Sequence, residues 1–135
     1  MKKAVCLLAA LVLAAVLSGC GLIRIEEEER KPVDYTVVER QDIPAALDEI
    51  MNEKKEKEFQ LSYETGEALY LAKGYGRQMS GGYSIQVEEL GVTSQAVFFK
   101  TKLMGPSDSK ITLSPPSYPY IVVKMAYRKE PVIFE

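Results

Sequence analysis

The chain has 135 residues, 47% of them hydrophobic and 27% charged, with a formal net charge of −2. That length bounds it to one small domain plus flanking segments, and the slight acidic balance lacks the electrostatic footprint of a nucleic-acid binder. Histidine and tryptophan are absent, which excludes a Ser–His–Asp triad and any histidine metal site.

Residues 1–20 read MKKAVCLLAALVLAAVLSGC. Lys2 and Lys3 precede an unbroken apolar run from Ala4 to Leu17, and small residues follow at Ser18 and Gly19. This is the three-part build of an export signal, with an apolar run too short to span a bilayer as a helix. Leu17-Ser18-Gly19-Cys20 resembles the lipobox of bacterial lipoproteins. The resemblance implies a signal peptide over residues 1–19, cleavage before Cys20, and acylation of Cys20, which is the predicted lipidation site. Two or more acyl chains suffice for stable membrane attachment. Cys6 leaves with the signal and Cys20 carries lipid, so no thiol remains for a disulfide, a nucleophile or a thiolate metal site. Loss of Lys2 and Lys3 leaves 15 basic against 19 acidic residues, a formal −4.

Residues 20–33 are expected to form a solvated tether, because Glu26 to Glu29 repel one another and hydrate well. A single β-rich domain is expected over residues 34–135. Its first element is a short strand, Asp34 to Glu39. Asp42 then reads as an N-cap, with Pro44 in the first turn. Ile43, Leu47, Ile50 and Met51 fall on one stripe at helical spacing. The pattern predicts an amphipathic helix from about Ile43 to Glu58, with Lys54, Lys55 and Lys57 suiting its C-terminal dipole and Glu53 and Lys57 as an i, i+4 pair.

The pattern then changes to period two. Strands are predicted over Glu67–Gly74, Gly82–Leu90, Val92–Leu103 and Pro119–Tyr127, with Gly91 as a break. Gly105-Pro106 and Asp108 read as a turn, and PVIFE reads as an edge strand beginning at Pro131. The fold class is mainly β: a small antiparallel β-sandwich or barrel-like domain with one N-terminal amphipathic helix.

Two loops stand out. The first, containing Gly74, Gly76, Gly81 and Gly82, reads as a hairpin loop with a bulge, since glycine is cheap where φ turns positive. It also carries Arg77, Gln78 and Met79, residues suited to contact, and ends on Tyr83. The second, TLSPPSYPY, is stiffened by Pro115, Pro116 and Pro119, and a stiff segment bearing Tyr118 and Tyr120 loses little entropy on binding. The structural alternative is that Tyr83 and Tyr120 fill core. The candidate partner-binding residues are Arg77, Gln78, Met79, Ser80, Gly81, Gly82 and Tyr118, with the two loops expected at a common end of the domain.

The stretch EALYLAKGYGRQMSGGYSIQVEEL, followed by a long strand and by SYPYIVVKM, resembles the C-terminal domain of the PrcB family, named for a subunit of a bacterial surface protease complex. The likeness runs from about Glu64 to Val132. Its anchors are Gly81-Gly82-Tyr83-Ser84-Ile85 and Tyr118-Pro119-Tyr120 leading into Val122 and Val123. Family members commonly carry Pro-Thr where this chain has Met79-Ser80; Ser80 keeps a hydroxyl, and the missing proline leaves the loop less stiff. The resemblance implies association with a protease or its precursor and transfers no catalytic residue.

A Gly-Tyr loop beside a second rigid loop also resembles chagasin-type inhibitors of cysteine proteases. The functional expectation is a lipid-anchored, extracytoplasmic protein-binding module at the cell membrane, for which the PrcB resemblance implies the role of an accessory subunit of a surface or secreted protease complex. The alternatives are a loop-presenting protease inhibitor and a structural envelope lipoprotein. No enzymatic activity, cofactor, metal or nucleic-acid partner is expected.

Overall fold

The computed structural model describes residues 28–107 and 114–135. The predicted signal, Cys20, the start of the acidic tether and Asp108 lie outside the described residues. Among the described residues eight strands and one α-helix follow in chain order: β1 (Lys31–Pro32), β2 (Thr36–Val37), a 3-10 turn (Arg40–Asp42), α1 (Ala45–Lys54), β3 (Glu58–Glu64), β4 (Ala68–Tyr75), β5 (Ser84–Val92), β6 (Val97–Met104), β7 (Tyr120–Ala126) and β8 (Val132–Phe134). They build two four-stranded sheets, ordered β1-β5-β6-β8 and β2-β7-β4-β3. Every pairing is antiparallel except β6 with β8. The mainly β, sandwich-like architecture agrees with the sequence reading.

The core between the sheets is made of side chains spaced two apart along their strands. Leu69 and Leu71 come from β4, Val97 and Phe99 from β6, and Ile121, Val123 and Met125 from β7. A second apolar layer lies on the outer face of the β2-β7-β4-β3 sheet, where Ile43, Leu47 and Met51 pack against Phe59, Tyr70, Ala72 and Val122. Strand β4 is therefore covered on both faces. This is why its sequence, ALYLA, is continuously apolar rather than alternating.

Several predicted boundaries move. The helix is shorter than expected: Pro44 is the N-cap, Asp42 sits in the preceding 3-10 turn, and Lys54 ends the helix. The proposed Glu53–Lys57 pair is therefore not a helical pair. Residues Glu58 to Glu64 form a strand that the sequence reading absorbed into the helix and its exit. Gly91 lies inside β5, opposite Phe98, rather than at a break. The reversal comes later, where Thr93 N–H donates to the Ala96 carbonyl at 2.9 Å and starts β6 at Val97. A bulge between Val87 and Glu89 shifts the phase of β5. The half-buried side chains Ile85 and Val87 precede it and the buried Leu90 and Val92 follow.

The expected tether is also shortened. Lys31 and Pro32 pair with Val92 and Gly91, so the domain begins several residues before Asp34. Arg30 is held by Glu135 at 2.6 Å and Glu89 at 2.7 Å, and its guanidinium lies 3.6 Å from the Phe98 ring centroid. The hydrogen bonds to Glu135 and then Glu89 raise its pKa further above the usual arginine value. Glu28 accepts from the Ser94 N–H at 3.0 and 3.1 Å and from the Ser94 hydroxyl. The last part of the acidic stretch is thus docked on the β5–β6 turn rather than free.

Candidate functional site

The two candidate loops meet, but the first is not a hairpin. Strand β4 belongs to one sheet and β5 to the other, so residues 76–83 carry the chain from sheet to sheet across one end of the sandwich. Because no β4–β5 ladder holds the crossing, its backbone groups find partners elsewhere. Arg77 N–H donates to the Glu56 carbonyl at 3.1 Å, tying the loop to the turn before β3. Gln78 and Ser117 exchange backbone hydrogen bonds, 2.8 Å from the Gln78 N–H and 3.1 Å from the Ser117 N–H, forming an isolated antiparallel bridge.

Side-chain hydroxyls complete the joint. Gly81 N–H donates to Ser114 Oγ at 2.6 Å, and Ser117 Oγ donates to the Ser80 carbonyl at 2.6 Å. Gln78 Nε2 turns back to the Tyr75 carbonyl at 3.0 Å. Gly82 has φ +82°, a left-handed conformation that glycine adopts without a Cβ penalty, and the chain leaves it directly into β5.

The candidate residues divide by exposure. Met79 is 79% exposed. Arg77 and Gly82 are exposed, while Gln78, Gly81 and Tyr118 are half-buried. Ser80 is buried at 5% exposure. Its hydroxyl donates to the Gly81 carbonyl at 3.3 Å, so it serves the loop rather than the surface. Tyr83 and Tyr120 are both half-buried. Among the described residues Arg77 makes no ion pair.

Tyr75, the last residue of β4, shares a hydrogen bond with Thr101 of the opposite sheet. Lys73, buried at 9% exposure, pairs with Glu58 at 2.6 Å. These polar pairs lie at the same end of the sandwich as the loop joint, because Glu58 is opposite Tyr75 and Gly74 is opposite Tyr120.

Sequence reasoning missed what α1 adds beside this joint. A cleft of about 210 Å³ lies between α1 and the Tyr118–Tyr120 segment, with Met51, Phe59 and Tyr120 among its apolar walls and Arg40, Lys55 and Tyr118 also lining it. Lys55 Nζ lies 4.9 Å from the Tyr118 ring centroid. The sequence signal was present in part, since Met51 was placed on the buried stripe. The position of Phe59 on β3 depends on a strand that was not anticipated.

The loop joint and the chain's entry point lie at opposite ends. β5 leaves the joint at Ser84 and meets β1 at Gly91 and Val92. At ~3.3 Å per residue its 9 residues span about 30 Å.

Residues 69–126 match the family model described as PrcB C-terminal. Over this stretch, somewhat under half of its length, the chain is similar to the PrcB C-terminal domain. The match begins in β4 and ends on the last residue of β7, so it takes in the sheet crossing, β5, β6 and the Tyr-Pro-Tyr segment. The helix, β1 to β3 and β8 lie outside the PrcB match. No curated protein and no solved structure matches the chain.

Among the described residues no group of His, Cys, Asp and Glu is placed to hold a metal ion, and no helix is long and apolar enough to cross a membrane.

Proposed function

We propose that this protein is a lipid-anchored, extracytoplasmic protein-binding module, serving as an accessory subunit of a surface or secreted protease complex. The observation that carries the reading is the joint of the two loops, which holds Arg77 and Met79 outward on a backbone fixed by hydrogen bonds to Ser114, Ser117 and Glu56. An exposed methionine and arginine on a fixed loop offer adaptable apolar and charged contact at little ordering cost.

The position of that joint supports the same reading. The chain enters at the β1 end, and the loops lie about one β5 length away, roughly 30 Å at ~3.3 Å per residue. A domain acylated at Cys20 would therefore present Arg77 and Met79 away from the bilayer.

Two experiments test the parts separately. Cys20→Ser should abolish palmitate incorporation and leave the protein unprocessed or mis-sorted; labelling equal to that of the unaltered protein would contradict the anchor. A photo-crosslinking residue at Met79 on intact cells should capture a secreted protease or its precursor. If the captured protease has a cysteine nucleophile and is inhibited by this protein, the inhibitor reading replaces the subunit reading.

A further inference from the structure

The cleft beneath Tyr118 is separate from the exposed Arg77 and Met79, and its chemistry is specific. Met51 is 4% exposed and Phe59 9% exposed, so they form apolar walls within the structure rather than surface residues. Arg40 and Lys55 are exposed along the same cleft. Neither makes an ion pair among the described residues. The acidic lining residue is Asp48, whose Oδ2 already accepts from Asn52 Nδ2 at 3.4 Å. Two cations against one hydrogen-bonded carboxylate leave a net positive rim over an apolar interior.

We infer that this cleft receives the apolar C-terminal residue of a partner polypeptide. The terminal side chain would lie against Met51 and Phe59, and the terminal carboxylate would sit between Arg40 and Lys55. Arginine and lysine both donate to carboxylates, arginine through a planar fork and lysine through a compact ammonium. A volume of about 210 Å³ falls below the roughly 300–1,000 Å³ of pockets that take whole cofactors or drug-sized ligands. It suits one side chain. A fatty acid presents the same carboxylate, but its long acyl chain exceeds the space.

Pro119 stiffens the Tyr118–Tyr120 wall, so the cleft is largely formed before anything enters it. The inference rests on the binding-module reading and names the partner chemistry it would recognise.

The test uses the isotopically labelled full-length chain in detergent and the tripeptide Ala-Ala-Leu, with a free or an amidated C-terminus, followed by amide chemical shifts. The free acid should perturb Met51, Lys55, Phe59 and Tyr120. It should bind roughly fivefold more tightly than the amide, the scale expected of an exposed charge contact.

Arg40→Gln combined with Lys55→Gln should remove that preference, whereas Lys129→Gln should keep it. Equal binding of acid and amide, perturbations located elsewhere, or a preference that survives the double substitution would each overturn the inference. Octanoate competing more strongly than the peptide acid would overturn it in favour of a lipid-derived ligand. The peptide arms do not involve Arg77 or Met79, so their failure leaves the loop-mediated reading to its own test.

Discussion

Gln78 and Ser117 exchange two backbone hydrogen bonds, at 2.8 and 3.1 Å, and thereby join the crossing between the sheets to the segment that leads into β7. Neither residue belongs to a regular strand. Without this bridge the backbone groups of Gln78 and Ser117 would depend on solvent, and the loop displaying Met79 would rest on the Glu56, Ser114 and Ser80 contacts alone.

The hydroxyl contacts beside the bridge are testable individually. Ser117→Ala removes the donor to the Ser80 carbonyl, and Ser114→Ala removes the acceptor for the Gly81 N–H. Each should cost about 1 kcal/mol in urea unfolding and should speed exchange of the Gly81 and Gln78 amides. Wild-type stability and exchange in both variants would mean that the joint is held without them.

A second relationship supports the cleft. Gly74 is the cross-strand partner of Phe59, and a Cβ at Gly74 would collide with the Phe59 ring. Gly74→Ala should therefore destabilise the domain by about 1–3 kcal/mol through overpacking. Combined with Phe59→Leu it should cost less than the sum of the two changes, because the residues touch. Strict additivity in a double-mutant cycle would show that the ring and the glycine do not constrain one another.

The docked N-terminal segment should respond to acid. Hydrogen bonds from the Ser94 side chain and then its backbone hold the Glu28 carboxyl below its usual pKa. A depressed folded-state value means that the contact is fully present above the unfolded-state pKa and is lost as pH falls through the lowered one. The Ser94 amide shift should titrate below the ordinary glutamate range, and Glu28→Gln should abolish the transition. A Ser94 transition at the ordinary glutamate value would indicate that Glu28 stays in solvent.

Much of the fold was legible in the sequence, for reasons that vary by element. Of the stripe Ile43, Leu47, Ile50 and Met51, the helix buries Leu47 and Met51, Ile43 packs just before it and Ile50 stays half-buried outside the cluster; the alternation of Ile121, Val123 and Met125 announced β7. Strand β3 was not legible. Phe59, Leu61 and Tyr63 do alternate, but they follow a lysine-rich run with no glycine or proline to mark the helix end. The stripe was therefore carried through to Glu58.

The loop containing Gly81 and Gly82 read as a hairpin because turn chemistry reports a local reversal and says nothing about which sheet receives the next strand. That choice is made by non-local pairing of β4 with β7 and of β5 with β6. The bulge near Glu88 hid for a related reason. It shifts the inward face from Ile85 and Val87 to Leu90 and Val92, and Gly91 between the latter two resembled a stop.

Of the candidate contact residues, Arg77 and Met79 could be chosen from the sequence because they are chemically unsuited to a tight turn's interior. Ser80 could not be separated from them, since its burial comes from packing around the Gln78–Ser117 bridge and not from its own polarity.

The central claim is that the loop joint is a protein-binding face, and the most direct measurement is crosslinked capture of the proposed protease partner on intact cells by Arg77→Ala with Met79→Ala. Both side chains are exposed, so the melt of the double variant should stay within about 0.5 kcal/mol of wild type. Capture should fall at least tenfold. Capture at wild-type strength by a folded, correctly localised double variant would contradict the account.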